Sequence, residues 1–142
     1  MSNASAIENV TGHCLCRGVR YKASAVRRRV IRCHCEMCRR AIGNVWTATQ
    51  VLRSDLTIED DDCLSWYQSS DNARRGFCGT CGASLFFDSD QRPTMSIAAA
   101  TIDQPSGLEF AAHVFTDEAT DYEPLSNGAP TFPNDQHGIT YL

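Results

Sequence analysis

The sequence predicts a mainly β fold, and two observations support this prediction. Apolar and β-branched residues alternate with polar residues in short runs, as on strands that bury one face. Residues that favour turns separate these runs, and no stretch keeps a helical period over several turns. We therefore expect short strands joined by turns, with few or no helices.

The length of 142 residues suits a single domain, and its 42% hydrophobic and 21% charged residues are ordinary for a globular protein. We expect residues 1–8 to form a flexible tail and residues 9–142 to form one domain. The first ten residues have no cationic flank and no apolar run, so they do not resemble a secretory signal. We expect a cytoplasmic protein that does not bind membranes, since its longest weakly polar run, residues 95–102, is too short to span a bilayer.

The charge is unevenly distributed along the chain. The formal net charge is −4, which argues against a nucleic-acid partner. Nine of the 13 basic residues nevertheless lie within residues 17–22 and 27–40, where Glu36 is the one acidic residue. We expect Arg27, Arg28 and Arg29 to form a charged turn or an exposed edge in contact with solvent.

The strands are predicted from the positions of the β-forming residues. The acidic run 59–62 and the segments 69–73 and 103–107 are typical of turns. We expect residues 124–142 to be mostly loop, with one short helix. The predicted strands lie at residues 19–21, 30–33, 41–52, 56–58, 63–68, 84–87, 95–102 and 108–115.

Two cysteine pairs predict a structural zinc site. Cys14 and Cys16 form a C-x-C pair, and Cys78 and Cys81 form a C-x-x-C pair with turn-forming glycines beside it. Four thiolates are a common ligand set for structural zinc, and disulfides are not expected in a protein that is not exported. This site would join the N-terminal strand to a turn some sixty residues later.

Three further cysteines predict a second zinc site. Cys33 and Cys35 would point to the same face of an extended strand, and a turn at residues 36–37 would bring Cys38 to that face. A structural zinc normally has four protein ligands, whereas a catalytic zinc keeps one position for water or substrate. The function therefore depends on whether the protein supplies a fourth ligand here.

The sequence offers several answers for that fourth ligand. Cys63 would complete two closed four-thiolate sites, although beside apolar residues a single cysteine is more often buried core. His34 should point away if the strand is regular, and His13 or His113 would have to arrive from elsewhere in the fold. The remaining alternative is that no protein ligand completes the site.

The order of these motifs resembles the glutathione-dependent formaldehyde-activating enzyme family, which includes centromere protein V. The resemblance covers about residues 9–135. Its later parts are Ile102-Asp103, His113-Val114-Phe115 and the segment 128–132. The earlier parts that carry it are Gly12-x-Cys14-x-Cys16, Val19-Arg20-Tyr21, Cys33-His34-Cys35-x-x-Cys38-Arg39-Arg40 and Phe77-Cys78-Gly79-Thr80-Cys81-Gly82.

The resemblance implies a zinc-containing β-tent of short antiparallel sheets with two zinc ions per chain. The structural zinc would lie on the four paired cysteines, and the second zinc on Cys33, Cys35 and Cys38. In the enzyme that names the family, the second zinc serves the addition of the glutathione thiol to formaldehyde, which gives S-hydroxymethylglutathione. One departure is visible, because Arg17 follows the second cysteine where the family commonly has glycine.

We therefore expect a zinc-dependent carbon–sulfur lyase-like enzyme that acts on an adduct of a thiol, such as glutathione, and a small aldehyde. Arg39 and Arg40 follow the second cluster directly and would attract the carboxylates of the thiol. The alternative is a non-catalytic binding module that zinc stabilises. A second zinc site with three protein ligands facing a cleft favours the enzyme, and a closed site favours the module.

Overall fold

Two β-sheets make up most of the structure. The computed structural model describes residues 7–125 and 128–134, and within them lie ten strands, one α-helix and three short 3₁₀ helices. The helix, α1, spans Glu36–Ile42, and the 3₁₀ helices span Arg53–Asp55, Ala99–Thr101 and Thr116–Glu118. The strands are β1 (Ile7–His13), β2 (Arg20–Val26), β3 (Arg28–Cys33), β4 (Trp46–Leu52), β5 (Leu56–Asp60), β6 (Leu64–Gln68), β7 (Ala73–Cys78), β8 (Ser84–Ser89), β9 (Thr94–Ala98) and β10 (Phe110–Val114).

The strand order separates a small sheet from a large one. The small sheet has the order β1-β2-β5, and the large sheet has the order β10-β3-β4-β9-β8-β7-β6. Every neighbouring pair is antiparallel except β3 and β10, which run parallel. The predicted mainly β class is confirmed, and this parallel pair is the departure from the purely antiparallel sheets that we expected.

A shared core joins the two sheets. Tyr21 from the small sheet packs edge-on against Phe86 of the large sheet, with ring centroids 5.5 Å apart. Val10, Val51 and Ile97 are buried in the same cluster. Removal of such apolar surface from water is the main term that favours folding. A second apolar cluster packs around β3, β4 and β10.

Several strand boundaries differ from those predicted. Ile7 and Glu8, which we placed in the tail, pair with β2 as part of β1. Strand β7 lies between the predicted turn at residues 69–73 and the C-x-x-C pair, where we predicted no strand. The predicted strands 41–52 and 95–102 are each shortened by a helix at one end. The described part of residues 124–142 contains no helix, and the rest of that prediction lies outside the described residues. No helix in the described ranges is long and apolar enough to cross a bilayer.

The prediction that Arg27, Arg28 and Arg29 form a solvated turn or edge is wrong for the middle residue. Strand β3 lies inside the large sheet, between β10 and β4. Because side chains alternate along a strand, Arg28 points inward, is only 5% exposed, and donates from Nη2 to the carbonyl oxygen of Ala48 at 3.2 Å. Arg27 pairs with Asp55 at 3.2 Å, and Arg29 is half-buried.

We predict that Gly12→Ala lowers the free energy of unfolding by about 1–3 kcal/mol, because an added methyl group would overpack the contact of β1 with Tyr21 and with the 3₁₀ helix Ala99–Thr101. A Cβ at Gly12 would lie 2.6 Å from the carbonyl oxygen of Thr101 and would clash with the hydroxyl of Tyr21. Chemical denaturation measures the change. Glu8→Ala, on an exposed position of the same strand, is the control and should be nearly neutral. Equal stability of the two variants would contradict the close contact at Gly12.

Candidate functional site

The first cysteine cluster lies where two turns from different sheets meet. Cys14 and Cys16 follow β1, while Cys78 ends β7 and Cys81 lies in the next turn. The four Sγ atoms lie within 4.8 Å of one another. The Sγ atom of Cys16 is 3.7 Å from that of Cys14 and 3.6 Å from that of Cys78. Four sulfurs around zinc, each at about 2.3 Å, would be about 3.8 Å apart, so this arrangement fits a tetrahedral zinc.

Backbone N–H groups surround the sulfurs of this cluster. Cys78 Sγ accepts hydrogen bonds from the N–H groups of Thr80 and Cys81, both at 3.4 Å. The backbone N–H groups of Ala83 and Cys16 lower the pKa of Cys81 to about 6. Hydrogen bonds to a thiolate favour its charged form, which is the form that binds metal. The turns therefore prepare the sulfurs to act as ligands.

The departure from the family pattern at Arg17 has a visible structural consequence. Arg17 has φ of 68°, in the left-handed region that glycine adopts with less strain. Its N–H donates to the carbonyl oxygen of Cys14 at 3.1 Å, so the turn between Cys14 and β2 keeps its hydrogen bond. The arginine thus occupies the conformation that the common glycine would favour, and the cluster is retained.

The second cluster lies where β3 passes into α1. Cys33 is the last residue of β3, Cys35 is the N-cap of the helix, and Cys38 lies in its first turn. The turn that we predicted at residues 36–37 is therefore helical. Cys35 Sγ accepts a hydrogen bond from the N–H of Cys38 at 3.3 Å, in the role that a serine or aspartate oxygen usually has at an N-cap. Gly43 ends the helix with φ of 80°, a conformation typical of a C-terminal cap.

The three thiols of this cluster differ in pKa. Their Sγ atoms lie within 4.8 Å of one another. Hydrogen bonds from Cys33 and Cys38 lower the pKa of the Cys35 thiol, and the N–H of Cys38 lowers it further. The same contact with Cys35 raises the pKa of Cys33. Cys35 is thus the first of the three thiols to ionise. A metal ion bound by all three sulfurs would displace the protons that remain on the other two.

Cys63 does not complete the second cluster. It lies beside the first one, because a Cβ built on Gly18 would be 2.7 Å from Cys63 Sγ and 3.3 Å from Cys16 Sγ. Cys63 also packs against the core that joins the sheets. The alternative of two closed four-thiolate sites is therefore contradicted.

The histidines that we considered as fourth ligands have other partners. His34 is fully buried, and its Nε2 lies 2.8 Å from Nδ1 of His113, so the two rings share one hydrogen bond. Burial lowers the pKa of both rings, so both are neutral at neutral pH. His13 lies 3.5 Å from Asp103. Within residues 7–125 and 128–134, no fourth Cys, His, Asp or Glu donor joins the three thiols.

The second cluster opens on a cavity of about 450 Å³, which we call the three-cysteine cavity. Its lining includes Trp46 and Phe87 together with two buried arginines, Arg28 and Arg75. Nη2 of Arg75 donates to Cys38 Sγ at 3.5 Å, and its guanidinium lies 4.9 Å from the centre of the Phe87 ring. Sequence reasoning did not single out either arginine as a site residue. Arg28 lies in a charged run, and Arg75 lies between a predicted turn and the C-x-x-C pair, where we predicted no strand.

The two arginines that we predicted as substrate ligands lie next to this cavity but do not line it. Arg39 and Arg40 border a separate depression of about 340 Å³ that also includes Glu123. Nε of Arg39 donates to the carbonyl oxygen of His34 at 3.2 Å, and Nε of Arg40 is 2.8 Å from a carboxylate oxygen of Glu36. A direct role of this pair in substrate binding stays a prediction.

Comparison with known proteins now decides the family. Residues 9–118 match the family described as glutathione-dependent formaldehyde-activating enzyme. The chain belongs to this family. A Schizosaccharomyces pombe protein named as an uncharacterized lyase is 27% identical over 130 residues, which cover 88% of this chain and 91% of the yeast protein. Membership of the formaldehyde-activating family and this similarity support an enzyme of the lyase kind.

A solved structure agrees with the fold of this family member. The crystal structure of a Rhodobacter sphaeroides protein superimposes with a TM-score of 0.57 at 22% sequence identity. The match covers 86% of this chain and 98% of that protein. At this level of identity the likeness concerns the fold alone.

We predict that the two clusters differ in their contribution to stability. Cys78→Ser should unfold much of the domain, since a structural zinc contributes on the order of 10 kcal/mol of folding free energy in small zinc peptides. Cys38→Ser should leave a folded protein with one zinc, because its cluster lies within six residues at the junction of β3 and α1 and does not join distant elements. Circular dichroism and metal analysis measure both effects.

Cys63→Ser is the matched control for these variants. It should keep the zinc content of the unsubstituted protein and most of its stability, because Cys63 belongs to neither cluster. Equal unfolding of Cys78→Ser and Cys38→Ser, or loss of zinc from Cys63→Ser, would contradict the division into a structural and a functional cluster.

Proposed function

We propose that this protein is a zinc-dependent carbon–sulfur lyase-like enzyme that acts on the adduct of a thiol and a small aldehyde. Glutathione and formaldehyde are the substrates that the family description suggests. One observation carries the proposal: three thiols, with no fourth donor among the described residues, line a cavity that also contains buried arginines. The lyase-named relative supports the same reaction class.

The chemistry of both donor sets fits zinc, which is commonly bound by cysteine sulfur. Cys14, Cys16, Cys78 and Cys81 would hold the structural ion. Cys33, Cys35 and Cys38 would hold the second ion and leave one position for a ligand from the cavity. When bound there, zinc would ionise a coordinating thiol at neutral pH and hold its sulfur at the wall of the cavity.

The reaction itself needs one bond to form and one proton to move. The thiol sulfur adds to the carbonyl carbon, a C–S bond forms, and the thiol proton ends on the former carbonyl oxygen. The reverse reaction cleaves the C–S bond and returns the thiol and the aldehyde. The addition changes no oxidation state overall, so it requires no oxidant or reductant.

The residues of the cavity have separate roles in this scheme. Arg75 donates a hydrogen bond to Cys38 Sγ and would hold that sulfur in position. Its positive charge would offset the net negative charge of a divalent ion with three thiolates. Trp46 and Phe87 supply apolar walls that exclude water from the sulfur atoms. Glu118 lies at the same cavity but accepts from the N–H of Glu36 at 2.9 Å, so we assign it to fixing the helix start.

We predict that a small thiol binds at the second cluster and releases about one proton per site at neutral pH, since a thiol must ionise to coordinate zinc. In cobalt-substituted protein, glutathione should change the visible spectrum. Cys35→Ala should abolish the change at this cluster while the signal of the four-cysteine cluster remains. Calorimetry in buffers of different ionisation enthalpy counts the released proton.

Two results would decide against this function. If no thiol alters the spectrum, the second cluster does not take a thiol ligand, and a zinc-stabilised binding module becomes the better account. If thiol binds but no formation or cleavage of the adduct is detected by NMR with formaldehyde, the thiol site stands and the lyase assignment fails.

A further inference from the structure

A second cavity, of about 560 Å³, lies beside the three-cysteine cavity, and we call it the apolar cavity. Tyr67 on β6, Arg75 on β7 and Phe87 on β8 pair directly across the strands, so they point to the same face of the large sheet. Tyr67 lines the apolar cavity, Phe87 lines the three-cysteine cavity, and Arg75 lines both. The residues that line both cavities form a shared boundary, which we call the junction: Met37, Trp46 and Arg75.

The two cavities differ in the side chains that line them. Among the described residues, the apolar cavity has no acidic side chain in its lining, and Arg40, its one charged residue away from the junction, pairs with Glu36 at 2.8 Å. The three-cysteine cavity includes the polar residues Gln50, Ser96 and Glu118. A ligand with a polar part and an apolar part could therefore place one part in each cavity. Five residues with apolar or aromatic side chains line the apolar cavity away from the junction: Ala41, Ile42, Tyr67, Phe77 and Phe86.

The junction contains a buried hydrogen-bond donor that has no acceptor. Arg75 is only 8% exposed, and within residues 7–125 and 128–134 its buried Nε has no hydrogen-bond partner. A buried donor without an acceptor costs free energy, which an oxygen atom of a ligand at the junction would recover. Nη2 of the same side chain lies 3.5 Å from Cys38 Sγ, so this oxygen would lie close to the second cysteine cluster. A carbonyl oxygen is an acceptor of this kind.

We propose that the apolar cavity binds the apolar substituent of a carbonyl substrate, whose oxygen accepts a hydrogen bond from Nε of Arg75 at the junction. The substrate class is an aldehyde with an aryl or alkyl substituent. Formaldehyde has only hydrogen atoms on its carbonyl carbon and cannot use the apolar cavity. The thiol sulfur adds to the carbonyl carbon, a C–S bond forms, and the thiol proton ends on the oxygen beside Arg75. The identification of this ligand as a substrate rests on the proposed function.

The test is an NMR titration of the zinc-loaded protein with phenylacetamide and with acetamide. Both amides have a carbonyl oxygen, but neither is electrophilic enough to react with a thiol, so the titration measures binding alone. Phenylacetamide should bind about ten- to a hundredfold more tightly than acetamide, because the apolar cavity removes its ring from water. It should also shift the Nε–H resonance of Arg75, which Arg75→Lys identifies by its absence.

A variant that fills the apolar cavity locates the binding site. Ala41 is an exposed residue of α1 that lines this cavity, so Ala41→Phe should fold and should occupy the space of the phenyl ring. It should lower the affinity for phenylacetamide to that for acetamide. Ala100→Phe is the matched control, because Ala100 is exposed in the 3₁₀ helix Ala99–Thr101 and lines neither cavity. This control should keep the affinity of the unsubstituted protein.

Each outcome decides the proposal. Equal affinity for the two amides, or no binding of phenylacetamide, would overturn it. An equal effect of Ala41→Phe and Ala100→Phe, or an Arg75 Nε–H resonance that phenylacetamide does not move, would also overturn it. The comparison of the two amides needs no variant, so it stands even if a substituted protein does not fold. Preferential binding of phenylacetamide without conversion of any aldehyde would sustain the apolar cavity while the proposed function fails. Cleavage of a thiol–aldehyde adduct without this preference would sustain the proposed function alone.

Discussion

The convergence of four cysteine sulfurs between two turns is the constraint on which the rest of the structure depends. Cys14 and Cys16 belong to the turn after the first strand, and Cys78 and Cys81 belong to the turn after β7. A metal ion bound by all four sulfurs would hold the small sheet against the large one, beside the core that the two sheets share. The ladders of the large sheet then set the order β3-β4-β9-β8-β7, and residues on these strands line the three-cysteine cavity.

The fold also explains why chemistry and stability are assigned to different cysteines. The first cluster joins elements that are distant in sequence, so its loss would release both sheets. The second cluster lies within six residues at the junction of β3 and α1, where the cap of a short helix holds it. A local cluster at the wall of a cavity can exchange a ligand without moving the sheets, which is a reasonable arrangement for a reactive centre.

The cysteine clusters could be predicted from sequence because their geometry is set by local spacing. C-x-C and C-x-x-C pairs bring sulfur atoms together whatever the remaining fold, so both groups were found without a structure. The location of Cys63 could not be predicted in this way, because it contacts the turn around Gly18, which is distant in the chain. Strand β7 was missed because Arg74 and Arg75 interrupt the apolar pattern that indicates a strand.

The buried arginines show the limit of reading charge from sequence. A run such as Arg27-Arg28-Arg29 usually lies in solvent, and only the strand register directs its middle side chain into the cavity. Register depends on pairing between strands that are distant in sequence, which no local pattern specifies. Proximity in sequence is the reason for predicting Arg39 and Arg40 as substrate contacts, yet these residues border a different depression.

The central claim is that the second zinc has three sulfur ligands from the protein and one position for a thiol. X-ray absorption at the zinc edge of the protein with both sites loaded tests it most directly. The account predicts a mean between three and four sulfur ligands per zinc, with a light-atom ligand at the second site, and a rise to four sulfurs when glutathione is added. Four sulfurs per zinc before any thiol is added would contradict it, because both sites would then be closed.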